Sequence, residues 1–114
     1  MMKVVYNRLI PFPGYVAMML FGAIFARRKY RPIGPVVIRH EAIHDAQAAD
    51  FVPQGKKFEG WQKFLSYLRF YAKYLGYWLR YGYKNVPFER EARVYAPWPE
   101  YLRHRKPHAY KAFE

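Results

Sequence analysis

Between Gly60 and Lys84 apolar residues return every seven positions: Trp61, Leu68 and Leu75; Phe64, Tyr71 and Trp78; Leu65, Ala72 and Leu79. Side chains seven apart drift by only about 20° around a helix, so these series share one broad face. Ser66, Arg69, Lys73, Arg80 and Lys84 gather on the opposite side, and Tyr67, Tyr74 and Tyr81 line the border. The spacing predicts an amphipathic helix of about seven turns, able to bend at Gly76, with its apolar face as the main core contact. The alternative use of that face is to lie on an anionic membrane, rings at the interface and Arg and Lys toward the headgroups. One helix of this length in 114 residues leaves room for a single domain, residues 1–114, with a modest core.

The remaining elements are shorter. Tyr15–Ala26 is the most apolar run and falls well below the about 20 residues that span a bilayer as a helix. With Lys3 and Arg8 ahead of it, it imitates a signal peptide. Pro11, Pro13 and Gly14 as a turn and Gly22 as a bend favour a pair of strands instead. The basic stretch "RRKYRPIGP" follows as a loop. Val37–Asp50 reads as a helix with His40, His44, Gln47 and Phe51 on one face, broken by Pro53 and Gly55. Asn85 and Pro87 mark another helix start and Pro97 its stop; Pro99 opens a last short helix toward Arg105. The fold expected is α+β, mostly helical, with a small N-terminal antiparallel strand pair packed on the Val37–Asp50 helix.

Charge and cysteine usage narrow the chemistry. Lys plus Arg number 20 against 8 acidic residues, a net charge of +12, and 21% of residues are aromatic. Such a chain suits an anionic partner such as a membrane surface. Specific nucleic-acid binding is disfavoured, because no recognised binding motif is present. Without cysteine, disulfides, thiol catalysis and Cys-ligated zinc are excluded. Any metal site must use His and carboxylates, and the carboxylates cluster at Glu41, Asp45 and Asp50 and at Glu89 and Glu91. With neither a signal peptide nor a membrane-spanning helix expected, a cytoplasmic or peripheral membrane location is favoured.

His40-Glu41-Ala42-Ile43-His44 is an H-E-x-x-H. On a helix the two histidines stand one turn apart and can converge on one zinc ion, while Glu41 reaches water beside it as a general base. Zinc needs a third protein ligand, leaving the fourth position for water. His104 and His108 are poor candidates, since Pro107 separates them and Arg and Lys surround them. Glu89 and Glu91 are better. Two apart, they point about 200° from each other, so only one can face a metal. Ala92, one turn after Glu89, would let its helix approach the metal helix closely, which leans toward Glu89; spacing alone leaves Glu91 open.

The order "IPFPGYVAMMLFGAIFARRK", "HEAIHDAQ", the long aromatic helix and "FEREARVYAPWPEYLRHRK" resembles a family of small uncharacterised H-E-x-x-H proteins of Bacteroidetes-type bacteria. That family looks in turn like a minimal gluzincin, a zinc peptidase with a downstream E-x-x-A/S-D. The resemblance implies a zinc metallopeptidase acting on a peptide or protein substrate. His40, His44 and Glu89 would be ligands, with Glu91 as fallback, and Glu41 the base. It also implies that the N-terminal apolar run belongs to the mature fold, as a small sheet whose edge can pair with an extended substrate. The chain departs from the pattern at Arg93, where Asp commonly accepts a hydrogen bond from a ligand histidine; Arg can only donate. No oxyanion stabiliser stands out, Tyr95 being a candidate for that role or for the core.

Overall fold

The computed structural model describes residues 3–7 and 17–114. It is a mostly helical α+β fold in which a three-stranded sheet lies on a helical body. Strands β1 (Lys3–Asn7), β2 (Ala17–Leu20) and β3 (Ala23–Arg27) are ordered β1-β3-β2. The expected antiparallel pair is β2 and β3, with Met19 opposite Ile24. Its connection is two residues long, Phe21 and Gly22, both at positive φ (48° and 91°). That is the turn whose twist matches paired strands. The Pro11, Pro13 and Gly14 turn lies outside the described residues. Strand β1, parallel to β3, was not expected from the sequence. Within the basic stretch expected as a loop, Arg28–Tyr30 forms a short 3-10 turn.

Helix α1 (Pro35–Ala49) carries the H-E-x-x-H. Pro35 at its first turn costs no hydrogen bond, since that N–H would have no partner within the helix. Helix α2 runs without interruption from Gly60 to Tyr81, three residues short of the expected Lys84. Gly82, at φ 81°, ends it in a conformation few other residues adopt, and Lys84 falls in the following 3-10 turn Tyr83–Asn85. Helix α3 (Pro87–Tyr95) starts at a proline and gives way at Ala96, before Pro97. Helix α4 (Tyr101–His104) is a single turn, and a 3-10 segment, Ala109–Phe113, closes the chain against α3.

The core is aromatic. Phe88 sits at its centre with Phe70, Tyr77 and Tyr110 around it, and Tyr67, Val86, Ala48 and Met19 complete the cluster. A second cluster joins Ile43 of α1 to Ala92, Ala96 and Tyr101. Ala92 is fully buried, and its small side chain permits the close approach of α1 and α3.

Most of the expected core face of α2 is turned outward, although Leu65 and Tyr71 are half-buried and Tyr71 packs on the core. Trp61 is 70% exposed, Leu79 74% and Leu75 52%, and Phe64, Leu68 and Trp78 are exposed as well. The buried residues are Ser66, Tyr67, Phe70 and Tyr77. The reason lies in the neighbours. Tyr67 donates to Asp45, Tyr71 to the Met19 carbonyl, Tyr74 to Glu89 and Tyr77 to Glu114. A face of aromatic rings with hydroxyl tips can bury apolar area and satisfy carboxylates on the facing elements; leucine can do only the first.

Candidate metal centre

Helices α1 and α3 pack so that three of the expected residues meet. The Nε2 atoms of His40 and His44 lie 3.0 and 3.1 Å from Oε1 of Glu89. One ligand atom from each residue falls within 4.8 Å of the others, so the group could hold a metal ion. Glu89 occupies the first turn of α3, where the helix dipole favours a carboxylate. Its second oxygen accepts a 2.6 Å hydrogen bond from Tyr74 of α2, which fixes the carboxylate plane.

Electrostatics bind the three together. Burial disfavours a charged His44, but the Glu89 carboxylate beside it, with help from Glu41 and Gln47, outweighs that and holds its pKa up at about 9. Glu89 is also buried, which alone would raise its pKa. The His44 charge and the hydrogen bonds from His40, His44 and Tyr74 instead hold it well below the usual carboxylate range. Glu41 goes the other way: burial pushes its pKa up, against the two histidines and a hydrogen bond from the Met19 N–H. A carboxylate kept more basic than usual is suited to take a proton.

Glu91 stands elsewhere. It is fully buried and accepts from Tyr101 (2.6 Å), from Nε of Arg105 (2.6 Å) and from Gln47 (3.0 Å). Arg105 also pairs with Asp50 at 2.8 Å. The geometry therefore separates the two glutamates that spacing left open: Glu89 faces the histidines, and Glu91 anchors the core. His104 stacks on Trp98, and neither it nor His108 belongs to the His40, His44 and Glu89 group.

Arg93 is exposed and donates to the Lys84 carbonyl, away from the histidines. The acceptor that its position lacks is supplied by Gln47, whose Oε1 lies 2.8 Å from Nδ1 of His44. The orientation of the amide is determined by its other end. Nε2 of Gln47 donates to the Phe88 carbonyl (2.9 Å) and to Glu91 (3.0 Å), both of which can only accept. Its oxygen therefore faces His44, and Nδ1 of His44 must donate, leaving Nε2 turned to the cluster. The helical face of His40, His44 and Gln47 pointed to this residue, and its position in "HEAIHDAQ" was the signal.

The group lies in a cleft of about 490 Å³ between β2, α1, α2 and α3, lined by Met18, Glu41, Phe70, Tyr74, Trp78 and Tyr83 among others. Tyr95 is not part of it; it stacks on Tyr101 at 4.0 Å between ring centres. Tyr71, Tyr74 and Tyr83 line the cleft instead. Strand β2 is the sheet edge at the cleft, but both backbone groups of Met19 on that edge are taken, the N–H by Glu41 and the carbonyl by Tyr71. The next position facing outward is Ala17.

No family model matches the chain, and neither a curated protein nor a solved structure was found similar to it.

Proposed function

We propose that this chain is a zinc-dependent metallopeptidase of minimal gluzincin-like type. The observation that carries the reading is the meeting of His40, His44 and Glu89 at the floor of a cleft that Glu41 also lines. Two imidazole nitrogens and one carboxylate oxygen are the donor set of a hydrolytic zinc site with one position left open. Ligand atoms of a tetrahedral zinc stand about 3.3 Å apart, given bonds of about 2.0–2.1 Å. Here Glu89 is 3.0 and 3.1 Å from the histidines, near that spacing, and one ligand atom of each residue lies within 4.8 Å of the others, so the three can close on one ion.

When bound, zinc supplies Lewis acidity: it brings the pKa of water to about 7 and polarises a carbonyl. Glu41 takes the proton of the attacking water and returns it to the departing amine. Burial, by raising its pKa, favours the first of these steps. Gln47 holds His44 in the tautomer that offers Nε2, and Tyr74 keeps Glu89 in plane. A peptide would lie along the cleft and reach the sheet edge at Ala17, or further if it displaced the Tyr71 hydroxyl from Met19.

Metal analysis of the purified chain tests the first half. One zinc per chain, lost in a His40→Ala/His44→Ala variant, is expected; wild type without zinc would refute the site. Hydrolysis of a casein substrate tests the second half. It should disappear in Glu41→Gln with zinc retained, and equal rates in that variant and wild type would refute the base.

A further inference from the structure

Most of the apolar side of α2 is left exposed among the described residues, and its layout is that of a surface-lying helix. At 100° per residue, Trp61, Leu68, Leu75 and Leu79 fall within about 40° of one another around the axis. Phe64 lies beside them, stacked between Trp61 and Phe21 of the β2–β3 turn at 5.3 and 5.8 Å. The strip therefore extends off the helix onto the sheet. About 120° round, Arg69, Lys73 and Arg80 form a second exposed row. The core-facing rings Phe70, Tyr77 and Tyr67 occupy the third sector. On the side away from the basic row, Leu75 and Trp78 belong both to this exposed surface and to the rim of the cleft.

We infer that α2 docks this chain on an anionic lipid surface, its apolar strip seated at the headgroup boundary and its basic row against the headgroups. The charges select the occupant. A second copy would bring a net +12 and the same basic row against itself. A nucleic acid would use the basic row but leave the leucines against water, because bases stack on rings and guanidinium planes rather than on aliphatic side chains. A bilayer carrying acidic lipids satisfies both rows at once. No described helix is long and apolar enough to cross a membrane, so the association is with one face. Docked in this way, Leu75 and Trp78 turn the cleft mouth toward the lipid. If the peptidase reading also holds, the substrate class is chain segments at or emerging from the membrane surface.

Sedimentation of the full chain with vesicles tests the docking without reference to catalysis. Binding is expected to vesicles of phosphatidylcholine mixed with phosphatidylglycerol and not to phosphatidylcholine alone. It should weaken as salt rises, with tryptophan emission moving to the blue on binding. Leu68→Glu/Leu79→Glu, at two exposed positions off the cleft, should lower the partition coefficient by about tenfold or more. Arg69→Glu/Lys73→Glu/Arg80→Glu tests the basic row independently and should abolish the preference for acidic lipid. His40→Ala/His44→Ala should bind like wild type, which keeps a failure of the metal site distinct from a failure of docking. No binding to the mixed vesicles, equal binding by Leu68→Glu/Leu79→Glu, or a dimer that persists in excess vesicles would overturn the inference.

Discussion

His44 and Gln47 stand one turn apart on α1, joined by a 2.8 Å hydrogen bond from Nδ1 to Oε1. The bond links the cluster of His40, His44 and Glu89 to the core, because the same amide donates to Glu91 and to the Phe88 carbonyl. Gln47→Ala should weaken zinc binding by about 10–100-fold, the usual effect of removing such a support. Gln47→Glu keeps the acceptor for His44 but sets a buried carboxylate against Glu91. It should hold zinc more tightly than Gln47→Ala and melt earlier. Chelator competition and thermal melts measure the two effects.

The two glutamates of α3 should respond to substitution in opposite ways. Glu89→Gln weakens a ligand and should lose zinc, while the fold survives. Glu91→Gln should retain zinc and destabilise the chain by about 3 kcal/mol, the lower end for breaking a buried ion pair, since Asp50 remains beside Arg105. Urea titration with zinc analysis on both variants separates the roles.

Gly22 is constrained twice. Its φ is +91°, and a Cβ there would lie 2.7 Å from the Tyr67 hydroxyl, which donates to Asp45. Gly22→Ala should cost about 1–2 kcal/mol from the backbone alone, and more from displacing Tyr67. In a double-mutant cycle with Tyr67→Phe the costs should fall short of additive, because part of each is the same hydrogen bond.

Alkali should unfold the chain through its buried tyrosines. Burial raises the Tyr71 pKa from 10.0 to about 12; the Phe21 N–H works against the rise, and Asp45 and Glu41 reinforce it. Tyr67, Tyr74, Tyr77 and Tyr101 are raised as well, again chiefly by burial. Because the unfolded chain ionises first, the stability these groups contribute is complete below pH 10 and declines as pH rises through the folded value near 12. Tyrosinate absorbance and circular dichroism should change together in that window; ionisation with the helices intact would contradict it.

How far the sequence could be read depended on the kind of signal. His40, His44 and Glu89 were legible because a one-turn spacing and a small residue after the glutamate are geometric statements about single helices. The strand pair was legible from its glycine and apolar run. The buried face of α2 was not. Apolar residues cover more than one side of that helix, so hydrophobicity left its orientation open, and the hydrogen bonds of Tyr67, Tyr71, Tyr74 and Tyr77 to other elements chose it. Gln47 was visible on the histidine face, but its function needed Glu91 and Phe88, 44 and 41 residues away. Arg93 looked like a defect only while the acceptor was sought on α3.

Tyr71 has a consequence for how copies of this chain behave toward one another. Its hydroxyl accepts from the Phe21 N–H at 3.0 Å and donates to the Met19 carbonyl at 3.2 Å. One side chain thus occupies, at the border of the sheet, places that a neighbouring strand would fill. A bare border of this kind invites growth into fibrils when molecules crowd. At Met19 and Phe21 on the β2 border the invitation is withdrawn by a phenol, carried on the same helix that walls the cleft.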